Sequence, residues 1–135
     1  MNKYKLISSD NSSYIEVEKI EYNIEDDYHP SVSFDLHFKT PTISYQGSGY
    51  WYDRSDLEDS ISIVFKLEKG ETSILQFNAY SELKISIEKL DNSGHFLVKF
   101  KLDDSDGSAF KSQFIIDMAE LEKFGDFLKN TVKGF

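Results

Sequence analysis

The sequence predicts an α+β domain of about eight mostly antiparallel strands, in one curved sheet or two packed sheets, with two helices near 54–69 and 118–133. Three observations carry this. Apolar residues alternate at period two in several stretches, most clearly Val32, Phe34, Leu36 and Phe38 and again Phe96, Val98, Phe100 and Leu102. The period changes to three and four at Leu57, Ile61, Val64 and Leu67, and at Met118, Leu121, Phe124, Leu128 and Val132. Each helical stretch follows a run of strands, so the pattern lacks the βαβ alternation of a parallel sheet.

Residues 4–8 read as a short first strand, followed by a polar turn at 9–13. In 14–24, Ile15 and Val17 share one face while Ile20, Tyr22 and Ile24 have the other parity, which predicts a bulge or break near Lys19. The strand at 32–38 ends at Thr40-Pro41. In 43–52, Gly47 and Gly49 mark a bend covered by aromatics. They do not form a phosphate loop, because no third glycine follows and Tyr50-Trp51-Tyr52 continues a strand.

Residues 53–70 carry a conflict. Ile61, Ile63, Phe65 and Leu67 alternate like a strand, yet Leu57, Ile61, Val64 and Leu67 form a helical stripe. The ends favour the helix: Ser55-x-x-Glu58 has the spacing of a capping box and Gly70 that of a stop. Strands at 72–77 and 82–90 follow. A hairpin then turns at Asp103-Asp104-Ser105-Asp106-Gly107, and the last helix has Asp117 and Glu120 at its start and Gly134 placed for a left-handed cap. The run from Asp53 to Gly70 parallels that from Asp117 to Gly134, so the chain reads as two strand-then-helix halves.

The length of 135 residues fits one domain, 1–135. The chain has no cysteine, which excludes disulfides and thiol chemistry and suits a reducing compartment, with cytoplasm expected. No apolar run is long enough for a signal peptide or a membrane span. A net charge of −9 and a pI near 4.7 argue against a nucleic-acid partner and favour a basic protein.

Chemistry-bearing motifs are missing. His29, His37 and His95 have no ligand at metal-pair spacing, there is no Gly-x-Ser-x-Gly elbow, and Asp104-Ser105-Asp106-Gly107 lacks the remaining ligands of a calcium loop. The expectation is a protein without catalytic residues, metal or cofactor, and not an enzyme. The more informative cluster is Glu16, Glu18, Glu21, Tyr22, Glu25, Asp26, Asp27 and Tyr28, in which acids steer a cationic partner and tyrosines supply stiff contact area. An exposed strand face whose charges deter edge pairing explains the same residues equally well.

An aromatic strand, the Asp56-Leu57 helix ending at Gly70, a Leu83-Ile85-Ile87 strand, a turn into Gly94-His95, two further strands and Asp117 with Leu121 follow in that order. From about residue 14 onward this order resembles the WapI-like family of bacterial immunity proteins. The resemblance implies a cytoplasmic protein of a contact-dependent or polymorphic toxin system. Such a protein neutralises a cognate basic toxin domain, often a nuclease or tRNase, by occlusion, with neither nucleic acid nor membrane as partner. The matched residues look structural, so the resemblance transfers no binding residue. The alternatives are a small-ligand-binding domain with Tyr50, Trp51 and Tyr52 around its pocket, and a carboxylate-dependent hydrolase.

Overall fold

Four strands, a helix, four strands and a helix follow one another in the computed structural model, which describes residues 3–25, 29–80, 82–103 and 109–135. The first half comprises β1 (Tyr4–Ile7), β2 (Tyr14–Asn23), β3 (Ser31–Lys39), β4 (Ser44–Asp53) and α1 (Arg54–Glu68). The second comprises β5 (Ile74–Gln76), β6 (Leu83–Lys89), β7 (His95–Asp103), β8 (Ala109–Asp117) and α2 (Met118–Lys133). Each half folds its strands into an antiparallel meander, β1-β2-β3-β4 and β5-β6-β7-β8. Of the two architectures the sequence left open, the two-sheet one is realised.

The alternating residues make the core. Phe38 of the first sheet stacks on Phe100 of the second at 4.9 Å, and Tyr52 on Phe77 at 4.2 Å. Side chains of this size, fully buried, contribute about 1.5–3 kcal/mol each. Helix α2 covers the rest with Leu121, Phe124 and Leu128, and its Phe127 stacks on Tyr4 at 4.4 Å. The helices meet at Gly125, where a Cβ would lie 3.1 Å from Val64 Cγ1, so the absence of a side chain sets their close approach.

The conflict at 53–70 resolves as a helix. Leu57, Val64 and Leu67 are buried along one stripe, whereas Phe65 is 54% exposed, a position that strand alternation would have buried. The capping box is corrected. Strand β4 runs straight into α1, the Arg54 amide donates to the Pro30 carbonyl at 2.9 Å, and the N-cap is Asp53 without a side-chain cap bond. Ser55 therefore lies inside the helix. Gly70 does end the helix with φ +73°, but Gly134 has φ −73° and is right-handed. Its reason is space: a Cβ there would overlap the Tyr22 hydroxyl. Asp117 caps α2 as expected, with Oδ1 accepting from the Glu120 amide at 3.0 Å.

The bulge near Lys19 is present as a register shift between Val17 and Lys19. A second shift between Phe34 and Leu36 falls opposite Gly47 to Tyr50, where the Gly49 amide donates to Asp35 Oδ1 at 3.0 Å with φ +73°. Of the turn expected at Asp103 to Gly107, residues 104–107 lie outside the described residues. No helix of the described residues is long and apolar enough to cross a membrane.

Candidate functional site

Three acids of the segment, Glu16, Glu18 and Glu21, have partners within the chain. Glu16 pairs with Lys5 at 3.5 Å, Glu18 accepts from Gln46 Nε2 at 3.3 Å, and Glu21 pairs with Lys19 at 2.7 Å. The Tyr22 hydroxyl donates to the Thr131 carbonyl at 2.8 Å, its ring meets Phe135 at 5.0 Å, and burial raises its phenol pKa. The Glu25 amide donates to Asn23 Oδ1 at 3.3 Å, while Asp26, Asp27 and Tyr28 lie outside the described residues. Tyr50 and Tyr52 point into the core and Trp51, between them, to the opposite face, so the three do not share a pocket. His37 sits 2.9 Å from Ser44 Oγ and His95 2.9 Å from Asp91 Oδ2, with no metal-ligand cluster among the described residues.

The outer face of the second sheet is different. Alternation buries Leu83, Ile85 and Ile87 of β6 and Phe96, Val98, Phe100 and Leu102 of β7, and so turns Lys84, Ser86, Lys99 and Lys101 outward. Strand β8 adds Lys111 and Gln113, and β5 adds Gln76. Register aligns these side chains into rows. Lys101 lies opposite Lys84 on one side and Lys111 on the other, and the next row is Gln76, Ser86, Lys99 and Gln113. Together they line a shallow depression of about 530 Å³.

Directly opposed residues have Cβ atoms about 4.5–5.5 Å apart, and like charges so placed repel. Two of the lysines have acidic neighbours, Lys99 with Glu88 at 2.7 Å and Lys101 with Asp103 at 3.5 Å. Lys84 and Lys111 form no ion pair among the described residues. An acidic protein thus carries a row of opposed cations on one sheet face, an arrangement that an anion relieves.

At the edge of this face an aromatic pair closes the gap between the sheets. Tyr45 of β4 stacks on Phe110 of β8 at 5.5 Å, and Phe110 leans on Phe100 at 5.8 Å. The hydroxyl of Tyr45 is close enough to Tyr50 to act, after burial, in pushing the Tyr50 phenol up to about 12. Tyr45 itself is 40% exposed.

No protein-family model and no curated protein matches the chain. Solved structures do match its fold. The Trypanosoma bruciei MRP1/MRP2 structure aligns over 97% of this chain and 82% of that chain, at 11% identity and a TM-score of 0.51. A guide-RNA-binding protein complex bound to a guide RNA aligns over 90% and 89%, at 12% identity and a TM-score of 0.50. These likenesses correct the expectation of a toxin-neutralising immunity protein with a basic toxin partner and no nucleic acid, because a chain of this fold occurs in an RNA-bound complex. Net charge does not decide the matter, because −9 is a sum over the whole molecule, whereas phosphate affinity depends on the cations within one footprint.

Proposed function

We propose that the outer face of β6, β7 and β8 binds single-stranded nucleic acid, RNA foremost, through its phosphates. The observation that carries this is the cross-strand row Lys84, Lys101 and Lys111. Strands lie about 4.8 Å apart, so the row spans about 10 Å, which suits neighbouring phosphates of one extended strand. The face is a shallowly hollowed sheet surface and presents no helix or ribbon to enter a duplex groove. Gln76, Ser86 and Gln113, in the row beside it, offer uncharged donors and acceptors to sugar and base. The 2′-hydroxyl is a partner for such groups, and RNA is read mainly where it is single-stranded. The likeness of fold to a guide-RNA-binding complex supports the same choice.

The test is a fluorescence anisotropy titration of a labelled twelve-nucleotide single-stranded RNA. Lys84, Lys99, Lys101 and Lys111 engaged together give a slope of log K against log salt near −3, hence a loss of roughly 50-fold between 50 and 200 mM salt. Changing Lys84, Lys101 and Lys111 together to glutamate abolishes binding, whereas Lys19→Glu on the other sheet leaves it intact. No saturable binding by the wild-type protein at 50 mM salt, or equal affinity in the triple variant, overturns the proposal.

A further inference from the structure

The lysine face contacts phosphate but among the described residues turns no Phe, Tyr or Trp outward beside its lysines, so by itself it holds a strand without engaging a base. We propose that Tyr45, backed by Phe110, is the station on which one nucleobase of the bound strand stacks. The inference rests on the nucleic-acid reading of the lysine face and adds a base-recognition site to it.

Four features place the station. Lys111 and Phe110 are adjacent in β8 and point to opposite faces of the sheet, so going from the last lysine of the row to the aromatic pair means rounding a single strand. Strand β8 is the terminal strand of its sheet, and among the described residues no further strand pairs with its outer edge. The Tyr45 ring is held from behind by Phe110 at 5.5 Å, which in turn is held by Phe100 at 5.8 Å, so the ring is fixed before any ligand arrives. Tyr45 remains 40% exposed, although Phe38, its directly opposed neighbour on β3, is fully buried.

A tyrosine so backed presents a flat π surface at the margin of a cationic face, and every base has a complementary one. The station therefore raises affinity with little preference among bases. Its occupant is a nucleobase and not an apolar protein side chain, because the surface that leads to it is a row of lysines.

The experiment compares oligouridylate of twelve nucleotides with a ribose-phosphate twelve-mer of the same length lacking all bases. Tyr45→Ala is expected to weaken oligouridylate binding by about 5- to 150-fold and to leave the abasic polymer unaffected. Tyr45→Trp retains or improves binding. Tyr45→Leu keeps an apolar cover over Phe110 without the π surface, and it shows the same selective loss as Tyr45→Ala if stacking is the cause. Unchanged oligouridylate affinity in both Tyr45→Ala and Tyr45→Leu overturns the station while the lysine face stands, and so does an equal loss on both polymers. Failure of the wild-type protein to bind either polymer removes the lysine-face reading and the station with it.

Discussion

The Tyr22 hydroxyl donates a 2.8 Å hydrogen bond to the Thr131 carbonyl, tying the second strand of the chain to the last turn of its final helix. The same ring fills the space beside Gly134. Tyr22→Phe removes one bond of a partly buried hydroxyl and is expected to cost about 1 kcal/mol, a fall in Tm of about 2–4 °C by calorimetry. Gly134→Ala destabilises the wild-type protein by forcing the ring aside but costs little in a Tyr22→Ala background. A double-mutant cycle that sums additively denies the contact.

Helix capping separates two residues that look alike in the sequence. Asp117→Ala removes the acceptor for the Glu120 amide and should cost about 1 kcal/mol in denaturant unfolding. Ser55→Ala, inside α1, should stay within about 0.5 kcal/mol of wild type. Equal losses would return Ser55 to a capping role.

The bend in β4 has two glycines with different reasons. Gly47→Ala brings a methyl group onto the Tyr50 hydroxyl and forces that buried ring to move, with a loss of about 1–3 kcal/mol. Gly49→Ala meets no neighbour but must hold φ +73°, at about 1–2 kcal/mol. Adding Tyr50→Phe should recover part of the first loss and none of the second, which unfolding curves of the four variants would show.

Acid stability carries a mark of the first turn. Asp10 accepts from the Ser12 hydroxyl at 2.7 Å, the Ser8 hydroxyl at 2.6 Å and the Ser12 amide at 3.0 Å, which lower its pKa to about 2. A carboxyl depressed in the folded state stabilises above its ordinary value near 3.8 and loses that contribution as pH falls towards about 2. The Tm gap between wild type and Asp10→Ala should therefore be constant from pH 7 to pH 5 and close between pH 4 and pH 2. A gap that persists at pH 2 contradicts the assignment.

Relieving the lysine row separates stability from binding. Lys84→Gln removes one of three opposed cations and should leave stability within about 0.5 kcal/mol of wild type or slightly above it. RNA affinity should fall, with a salt slope shallower by about 0.7. An unaltered slope places the phosphates elsewhere.

Much of the fold was legible because burial writes itself along each strand and helix. The parity switch at Lys19 located the bulge, and Gly47 and Gly49 located the bend. The stripe Leu57, Val64 and Leu67 outweighed the alternation of Ile61, Ile63 and Phe65, although Ser55 pointed to the wrong cap. The candidate site was less visible. Lys99 and Lys101 alternate with buried residues, and Lys111 has the outward parity of the next strand, but only pairing register puts them beside Lys84. Total charge concealed the face, and the dense acids of β2 drew attention to residues already paired with Lys5 and Lys19.

The close approach of the helices at Gly125 bears on how the chain could be taken apart. Each half has its own meander and its own helix, and the short segment after Gly70 is the covalent link between them. A cut there leaves two fragments that each expose the apolar side of a sheet: Phe38 is separated from Phe100 and Val64 from Gly125. Their complementary surfaces favour reassembly of the cut halves, whereas shortening the intact link instead favours exchange of halves between two copies. The lysine row lies wholly in the second fragment while the partner residue Tyr45 lies in the first. Recovery of base-dependent binding on mixing would thus report that the two pieces had found each other.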